Sequence, residues 1–373
     1  MADVLMLHQF HQPHHAHRVF GDAVGADYRH FETGDEIGGP EENLDSMLAR
    51  LRTAIDLESY DVVIGEGTTP IYTLLFYKLL NRRDARIVPL IADETFLTIG
   101  EQRTRHLWRR VIGPLASRLV SGAIAVGNLA RSWAERYLEV PFEIVHPPIA
   151  DAKYDALEPI GRAVDEAVTS ESSSAPVATA SRTDGAGDVE GDDGPGGDDE
   201  SVRILHAGTV SDRAAVAKKN VGLLARVVES EPDWELRLLG AGHDAFAYSD
   251  RPGVSALGYL DLEAFAAEFA AADVYVQPSS GDAFPVASLE AMLAGVPTVV
   301  STAAGTRELV DPVDPLLVRA PVASDVRRGI EYARSLSPDE RRERAAALRE
   351  RVLPLTEDRQ AAAFRDALAE VVA

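Results

Sequence analysis

Short apolar runs separated by stretches of helical periodicity fill the first 150 residues. The runs at 4–7, 61–65, 86–91, 122–126 and 142–145 have the length and β-branched content of buried strands, and the patterns at 41–55, 70–80, 103–119 and 129–137 repeat at the helical interval. The same alternation resumes at residue 202. Strands are predicted at 202–207, 235–239, 254–257, 274–277 and 298–301, and helices at 220–229, 262–271 and 286–294. Residues 324–373 read as helix almost throughout, with breaks near Ser337-Pro338 and at Pro354. Strands spaced by helices point to βαβ units, so the expected class is α/β with two Rossmann-like parallel-sheet domains.

Between the two series, residues 168–200 hold almost no large apolar side chain and are rich in Ser, Gly, Asp and Glu. Such a stretch buries too little surface to offset its ordering entropy. The expected organisation is a first domain over 1–150, an acidic and largely disordered linker or insertion over 151–200, a second domain over 201–355, and a final helix over 356–373. A length of 373 residues with 46% hydrophobic content supplies two cores. The chain has no cysteine, which excludes disulfides and thiolate metal sites and agrees with a reducing compartment. No run of about 18 apolar residues occurs, and the strand-like VLMLH follows Met1-Ala2-Asp3 directly, so a cytoplasmic location is expected.

Charge changes this picture in one respect. The net charge is −23, of which the segment 151–200 supplies −11, from 14 acids against Lys153, Arg162 and Arg182. Only four lysines (Lys78, Lys153, Lys218 and Lys219) stand against 33 arginines. An acid excess on the folded parts as well is the pattern of a protein working in concentrated salt, where screening makes the repulsion tolerable. A GC-rich genome would explain the arginines but not the acids. Nucleic-acid binding is disfavoured by the same balance.

The chemistry concentrates in DVYVQPSSGDAFPVASLEAMLAGVPTVVSTAAGTRELV, residues 273–310. A buried strand leads into a Gly loop with Asp282, a helix opened by Pro285 that carries Glu290, a Gly295-Val296-Pro297 stop, another strand, and a second Gly loop ending in Glu308. That order places carboxylates and a helix N-terminus at the C-terminal ends of parallel strands, where open α/β sheets bind nucleotides.

These residues resemble the retaining GT-B glycosyltransferases of family 4, over most of residues 202–310. The matching letters are Asp282, then Glu290-Ala291-Met292-Leu293-Ala294-Gly295-Val296-Pro297, then Gly305-Thr306-Arg307-Glu308, with HAGTVSDRAAVAKKNVGLLARV, LRLLGAGHD, VSALGYLD and AADVYVQPS upstream in the family's order. The resemblance implies that Glu290 accepts hydrogen bonds from ribose hydroxyls. Backbone N–H groups near Ala283, Phe284 and Val286, at the helix opened by Pro285, would face the diphosphate. Lys219, or alternatively Lys218, would neutralise the departing diphosphate, and Gly208 and Glu308 belong to the same donor loops. Two departures stand out: Asp282 replaces the family's common Glu on the sugar hydroxyls, and Gly208-Thr209 replaces Gly-Arg, leaving Arg213 as the substitute cation.

The first domain matches the family less well. Its first loop, HQFHQPHHAHRVFG, holds His8, His11, His14, His15 and His17 in place of a Gly-rich turn. The spacing fits no zinc signature. His8 or His11 is expected near the reacting groups, with no metal and no cofactor. Asp93 and Glu94 occupy the place of the family's donor-contacting histidine; one of them could orient an acceptor hydroxyl, or simply cap the loop. Arg103, Arg105, His106, Trp108, Arg109, Arg110 and Arg118 concentrate charge and an aromatic on one predicted helix, a face suited either to solvent or to an anionic membrane carrying a lipid-linked acceptor. The GT-B resemblance further implies that the final helix returns to the first domain. The expected function is sugar transfer from a nucleotide-sugar donor to a hydroxyl acceptor with retention and without metal. The alternatives are a hexosamine-nucleotide epimerase and a catalytically degenerate sugar-nucleotide-binding protein with a partner or regulatory role.

Overall fold

The computed structural model describes residues 3–8, 14–30, 60–66, 68–80, 84–101, 105–172 and 201–373. The predicted helix at 41–55, His11 and Arg103 lie outside the described residues. Two six-stranded sheets form, both wholly parallel. The first has strand order β2-β1-β3-β4-β5-β6, with β1 Val4–His8, β2 Asp27–His30, β3 Val62–Glu66, β4 Arg86–Ile91, β5 Ala123–Ala125 and β6 Phe142–Ile144. The second has order β12-β11-β10-β7-β8-β9, with β7 Val202–Ala207, β8 Trp234–Leu239, β9 Val254–Gly258, β10 Val274–Gln277, β11 Thr298–Ser301 and β12 Val318–Arg319.

Most interior strands read as largely apolar runs because helices cover both faces of the sheet, whereas β8, WELRLL, alternates buried apolar residues with half-buried Glu235 and Arg237. Strand β1 is buried at all five positions. Strands β2 and β12 were not predicted. Both are edge strands, and DYRH and the two-residue VR carry no run of apolar side chains to announce them.

The helices of the first domain are α1 His15–Ala23, α2 Thr68–Leu80, α3 Thr95–Glu101, α4 Gly113–Leu119 and α5 Asn128–Ala134. A π-helical stretch, Trp108–Ile112, leads into α4. Trp108, expected on an exposed face meeting either solvent or a membrane, is instead fully buried against Phe96 and Tyr137, with ring centroids 5.9 and 6.1 Å away. A bulky aromatic in a charged sequence reads as an anchor, but here it fills the core.

Helix α6, Asp151–Ser172, occupies the first 22 residues of the expected linker. Its apolar face carries Leu157, fully buried, and Gly161, where an added Cβ would stand 2.1 Å from the Leu293 carbonyl oxygen. Arg349, buried on α13 Pro338–Val352, pairs with Glu158 (2.5 Å) and Asp165 of α6. Residues 173–200 lie outside the described residues.

The second domain has α7 Arg213–Lys219, α8 Val221–Glu229, α9 Leu262–Ala270, α10 Val286–Leu293, α11 Arg307–Val310 and α12 Ala323–Ser335, followed by α13. The last helix, α14 Glu357–Val372, crosses back to the first sheet. Its Phe364, Leu368 and Val371 join Met6, Phe20, Ile64, Leu90 and Ile124 in one apolar cluster, and the rings of Phe364 and Phe20 stack at 4.7 Å. The C-terminal ends of the two sheets border a cleft of about 1050 Å³ lined from both domains.

Candidate functional site

The second-domain wall of the cleft is built by the loop between β10 and α10. A polar chain fixes that loop: Tyr275 Oη donates to Gln277 Oε1 (2.7 Å), Gln277 Nε2 to Ser279 Oγ (2.7 Å), and Ser301 Oγ to the Ser279 carbonyl (2.6 Å). Burial pushes the Tyr275 phenol well above its ordinary pKa, reinforced by the charges of Glu290 and Asp282, so it stays a neutral donor. The Asp282 amide donates to the Ala303 carbonyl and its carbonyl accepts from Gly305. A Cβ at Gly305 would meet the Ala283 carbonyl oxygen at 1.7 Å, which is why this loop crossing requires glycine. Asp282 lines the cleft as a result.

Helix α10 begins at Val286 with Pro285 at its N-cap, and no side chain caps it. Its N-terminal turn lines the cleft through Pro285, Val286 and Ala287, so the positive end of its dipole is available to an anion there. Glu290, in the second turn, is buried, and its Oε1 accepts from Lys153 Nζ at 2.6 Å.

Beside this wall, β7 ends at Gly208, where φ is 154° and a Cβ would come within 2.8 Å of Lys219 Nζ. Lys219 closes α7, and the next residue, Asn220, adopts a left-handed φ of 57°. Asn220 Nδ2 donates to the Pro278 and Pro321 carbonyls at 3.1 and 3.3 Å, which holds this turn in place. The two adjacent lysines thereby receive different environments. Lys218 pairs with Glu94 of the first domain at 2.5 Å. Burial works against its charge, but Asp282, Glu94 and Asp93 more than offset that and raise its pKa. Lys219 lines the cleft and, among the described residues, forms no ion pair. Under it, His243 Nε2 donates to the Gly208 carbonyl (2.7 Å) and Nδ1 accepts from Tyr248 Oη (2.8 Å).

The first-domain wall carries His14, His15, His17 and Glu66. Glu66 ends β3, and its Oε2 lies 2.8 Å from His17 Nδ1, both side chains being nearly inaccessible. Burial would raise the Glu66 pKa, but the contact with His17 and the charges of His17, His14 and His8 outweigh it and hold Glu66 below its ordinary value. His14 is pushed down, mainly by burial. His15 reaches Glu357 of α14 at 2.9 Å. Glu66 and Lys153 were not singled out in the sequence. A lone carboxylate at the end of the wholly apolar run VVIGE was the available signal for Glu66.

Several expected site residues stand elsewhere. His8 is buried under Tyr28 and does not line the cleft. Asp93 accepts from Thr95 N (3.0 Å) and Oγ1 (2.9 Å), so it caps α3, and burial raises its pKa. Glu94 is engaged with Lys218. Arg213 is an exposed first residue of α7, outside the cleft lining. Glu308 joins the domains: its Oε2 accepts from the Asn128 amide at the start of α5 (2.8 Å), and its Oε1 lies 2.7 Å from His146 Nε2. The His146 ring stacks on Phe284 at 4.7 Å and 20°.

Comparison with known proteins bears on this arrangement. Residues 202–332 match the family model of the glycosyl transferases group 1. No curated protein matches the chain. Among solved structures, HepE of Anabaena in complex with UDP and glucose is similar over 99% of this chain and 100% of its own, with a TM-score of 0.67 and 15% identity. Sucrose-phosphate synthase from Thermosynechococcus elongatus is similar over 100% of this chain and 99% of its own (TM-score 0.68, 14% identity). The UDP-forming trehalose-phosphate synthase from Burkholderia xenovorans is similar over the full length of both chains (TM-score 0.68, 12% identity). The fold is GT-B. Its interdomain cleft holds Glu290, Asp282, Lys218, Lys219, Gly208, Phe284, Pro285 and Val286 together.

Proposed function

We propose that this chain is a retaining glycosyltransferase that moves a sugar from a nucleotide-sugar donor to a hydroxyl acceptor without a metal ion. The observation that carries the reading is one wall presenting a buried carboxylate, Glu290, together with a helix N-terminus at Val286 and the ammonium of Lys219 that, among the described residues, have no side-chain cap and no ion pair. A nucleoside diphosphate sugar has groups that answer each: ribose hydroxyls for Glu290, and the diphosphate for the helix amides and Lys219. Negative charge grows on the diphosphate as the glycosidic bond breaks, and Lys219 is placed to stabilise it. Asp282 would receive the sugar hydroxyls. The facing Glu66–His17 pair would orient the acceptor hydroxyl. Retention follows from front-face attack assisted by the departing phosphate, so no protein nucleophile is needed; the nucleotide sugar is a substrate, and no cofactor enters.

The bound UDP and glucose of the Anabaena relative and the UDP-forming Burkholderia synthase support trying uridine donors first. Thermal unfolding in molar KCl, for wild type and Glu290→Gln, against UDP, GDP, ADP and dTDP and their sugar conjugates tests the reading. A ligand at about 100 times its Kd adds roughly 2.7 kcal/mol, so a base-selective upward shift that the variant loses is the expected result. Absence of any shift in folded protein would overturn it. Binding without sugar turnover would favour the degenerate binding protein.

A lipid-linked acceptor is favoured by one surface. Leu79 and Leu80 end α2, and Leu107, Val111 and Leu115 lie on the stretch running into its packed neighbour α4; all five are exposed, with exposed Arg109 and Arg110 among them. Among the described residues no helix is long and apolar enough to cross a membrane, so the contact proposed is peripheral, at the cytoplasmic face. Charge reversal at Arg109 and Arg110 that leaves association with anionic liposomes unchanged at matched salt would refute it.

A further inference from the structure

We infer that Lys153 and Glu290 together read a cis-diol, and that Lys153 gives the cleft a preference for ribonucleotides over 2′-deoxyribonucleotides. This rests on the donor reading above and refines it. Lys153 comes from outside the region that matches the glycosyltransferase model, in the first turn of α6, where its amide donates to the Ala150 carbonyl at 2.8 Å. Its ammonium lies 4.4 Å from the centre of the Phe265 ring and 2.6 Å from Glu290 Oε1, and all three residues line the cleft. The ring and the carboxylate hold the ammonium from two sides. Only 5% of the Glu290 side chain is exposed against 39% of Lys153, so a buried carboxylate meets an ammonium that faces the open cleft.

One carboxylate oxygen remains open. Among the described residues Glu290 Oε2 accepts no hydrogen bond. A carboxylate only accepts and an ammonium only donates. Adjacent hydroxyls of a ribose satisfy both: one donates to Oε2, and the oxygen of the other accepts from a remaining Nζ proton. A 2′-deoxyribose has a single hydroxyl there and leaves one charged group without its ligand contact, and a site built to hydrogen-bond a hydroxyl rejects the analogue that lacks it. The residue type matters as well. The chain uses 33 arginines and four lysines, yet a lysine stands here; an arginine fork would engage both oxygens of Glu290 and so compete with the ligand hydroxyl for Oε2.

The test is calorimetric titration of the full chain with UDP, GDP and ADP and their 2′-deoxy counterparts, for wild type, Lys153→Met and Lys153→Arg. Wild type should prefer the ribonucleotide by about ten- to a hundredfold, the range of one charge-assisted hydrogen bond. Lys153→Met keeps the stem over Phe265, so it should still bind but lose most of that ratio. Lys153→Arg should bind the ribonucleotide more weakly than wild type; wild-type affinity there would count against the open-oxygen argument. Discrimination unchanged in Lys153→Met, or absent in wild type, overturns this inference while leaving the donor reading standing. If no nucleotide binds wild type, the donor reading falls and takes this one with it.

Discussion

Glu308 is the residue whose structural role departs furthest from a donor contact, and its removal has a calculable consequence. The Glu308→Ala variant loses two interdomain contacts together, the acceptor for the Asn128 amide at 2.8 Å and the partner of His146 at 2.7 Å. A hydrogen bond to a charged group is worth about 1.5–3 kcal/mol, and a carboxylate at a helix N-terminus adds about 0.3–1 kcal/mol. Side-chain exposures of 16% for Glu308 and 25% for His146 call for a discount from the top of that range. A net loss of about 2 kcal/mol favours separated domains by about 30-fold relative to wild type. A second cross-domain pair, Lys218–Glu94, is about one-third exposed on each side, so it contributes less, about 1 kcal/mol or below. Small-angle scattering should therefore show a larger radius of gyration for Glu308→Ala, partly reversed by the nucleotide that stabilises wild type, and a smaller change for Glu94→Gln. Scattering identical to wild type in Glu308→Ala, or a larger expansion in Glu94→Gln, would refute the assignment of Glu308 as the principal latch.

Gly208→Ala should weaken nucleoside diphosphate binding by about tenfold while barely moving the binding of the free nucleoside, because a Cβ 2.8 Å from Lys219 Nζ forces that ammonium off its position; equal losses for both ligands in titration would contradict this. His206 is fully buried and its pKa is pushed down to about 3, chiefly by desolvation, with Nδ1 donating to the Val276 carbonyl. Its folded value lies below the ordinary 6.5, so its contribution is intact above pH 6.5 and is lost progressively as pH falls from there toward 3. Denaturant midpoints measured from pH 8 to pH 4 should fall in this window and flatten in His206→Gln; an unchanged slope in that variant would exclude His206 as the cause. Melting temperature should rise with KCl from 0.1 to 3 M if the acid excess is an adaptation to salt, and a flat or falling curve would count against it.

Much of the second domain was legible because its strands are buried on both faces and its turns need particular residues. The predicted strand 298–301 coincides with the observed Thr298–Ser301, and the helix carrying Glu290 begins where Pro285 announces it. Asp282, Lys219, Glu290 and the helix start at Val286 were readable as one group through the family resemblance, and the fold brings them together at the ends of the neighbouring strands β10 and β7. The first-domain wall was less legible. Of five histidines in ten residues His8 or His11 was expected nearest the reacting groups; the fold buries His8, His11 lies outside the described residues, and His14, His15 and His17 line the cleft. Composition also misled at two places: Trp108 sits among arginines yet packs inside, and the acidic stretch at 151–172 is helical because Arg349 and the backbone around Leu293 receive it.

Local order along the chain determined the two parallel sheets, the loop of Asp282 and the carboxylate of Glu290, since strand periodicity, Pro285 and Gly305 act on their immediate neighbours. Tertiary structure decided which charges meet. Lys153 and Glu290, Lys218 and Glu94, His146 and Glu308, and His17 and Glu66 are separated by dozens to more than a hundred residues. Pairing of that kind depends on how the sheets face one another and how α6 packs on the helices of the second domain, and a linear pattern carries no term for either.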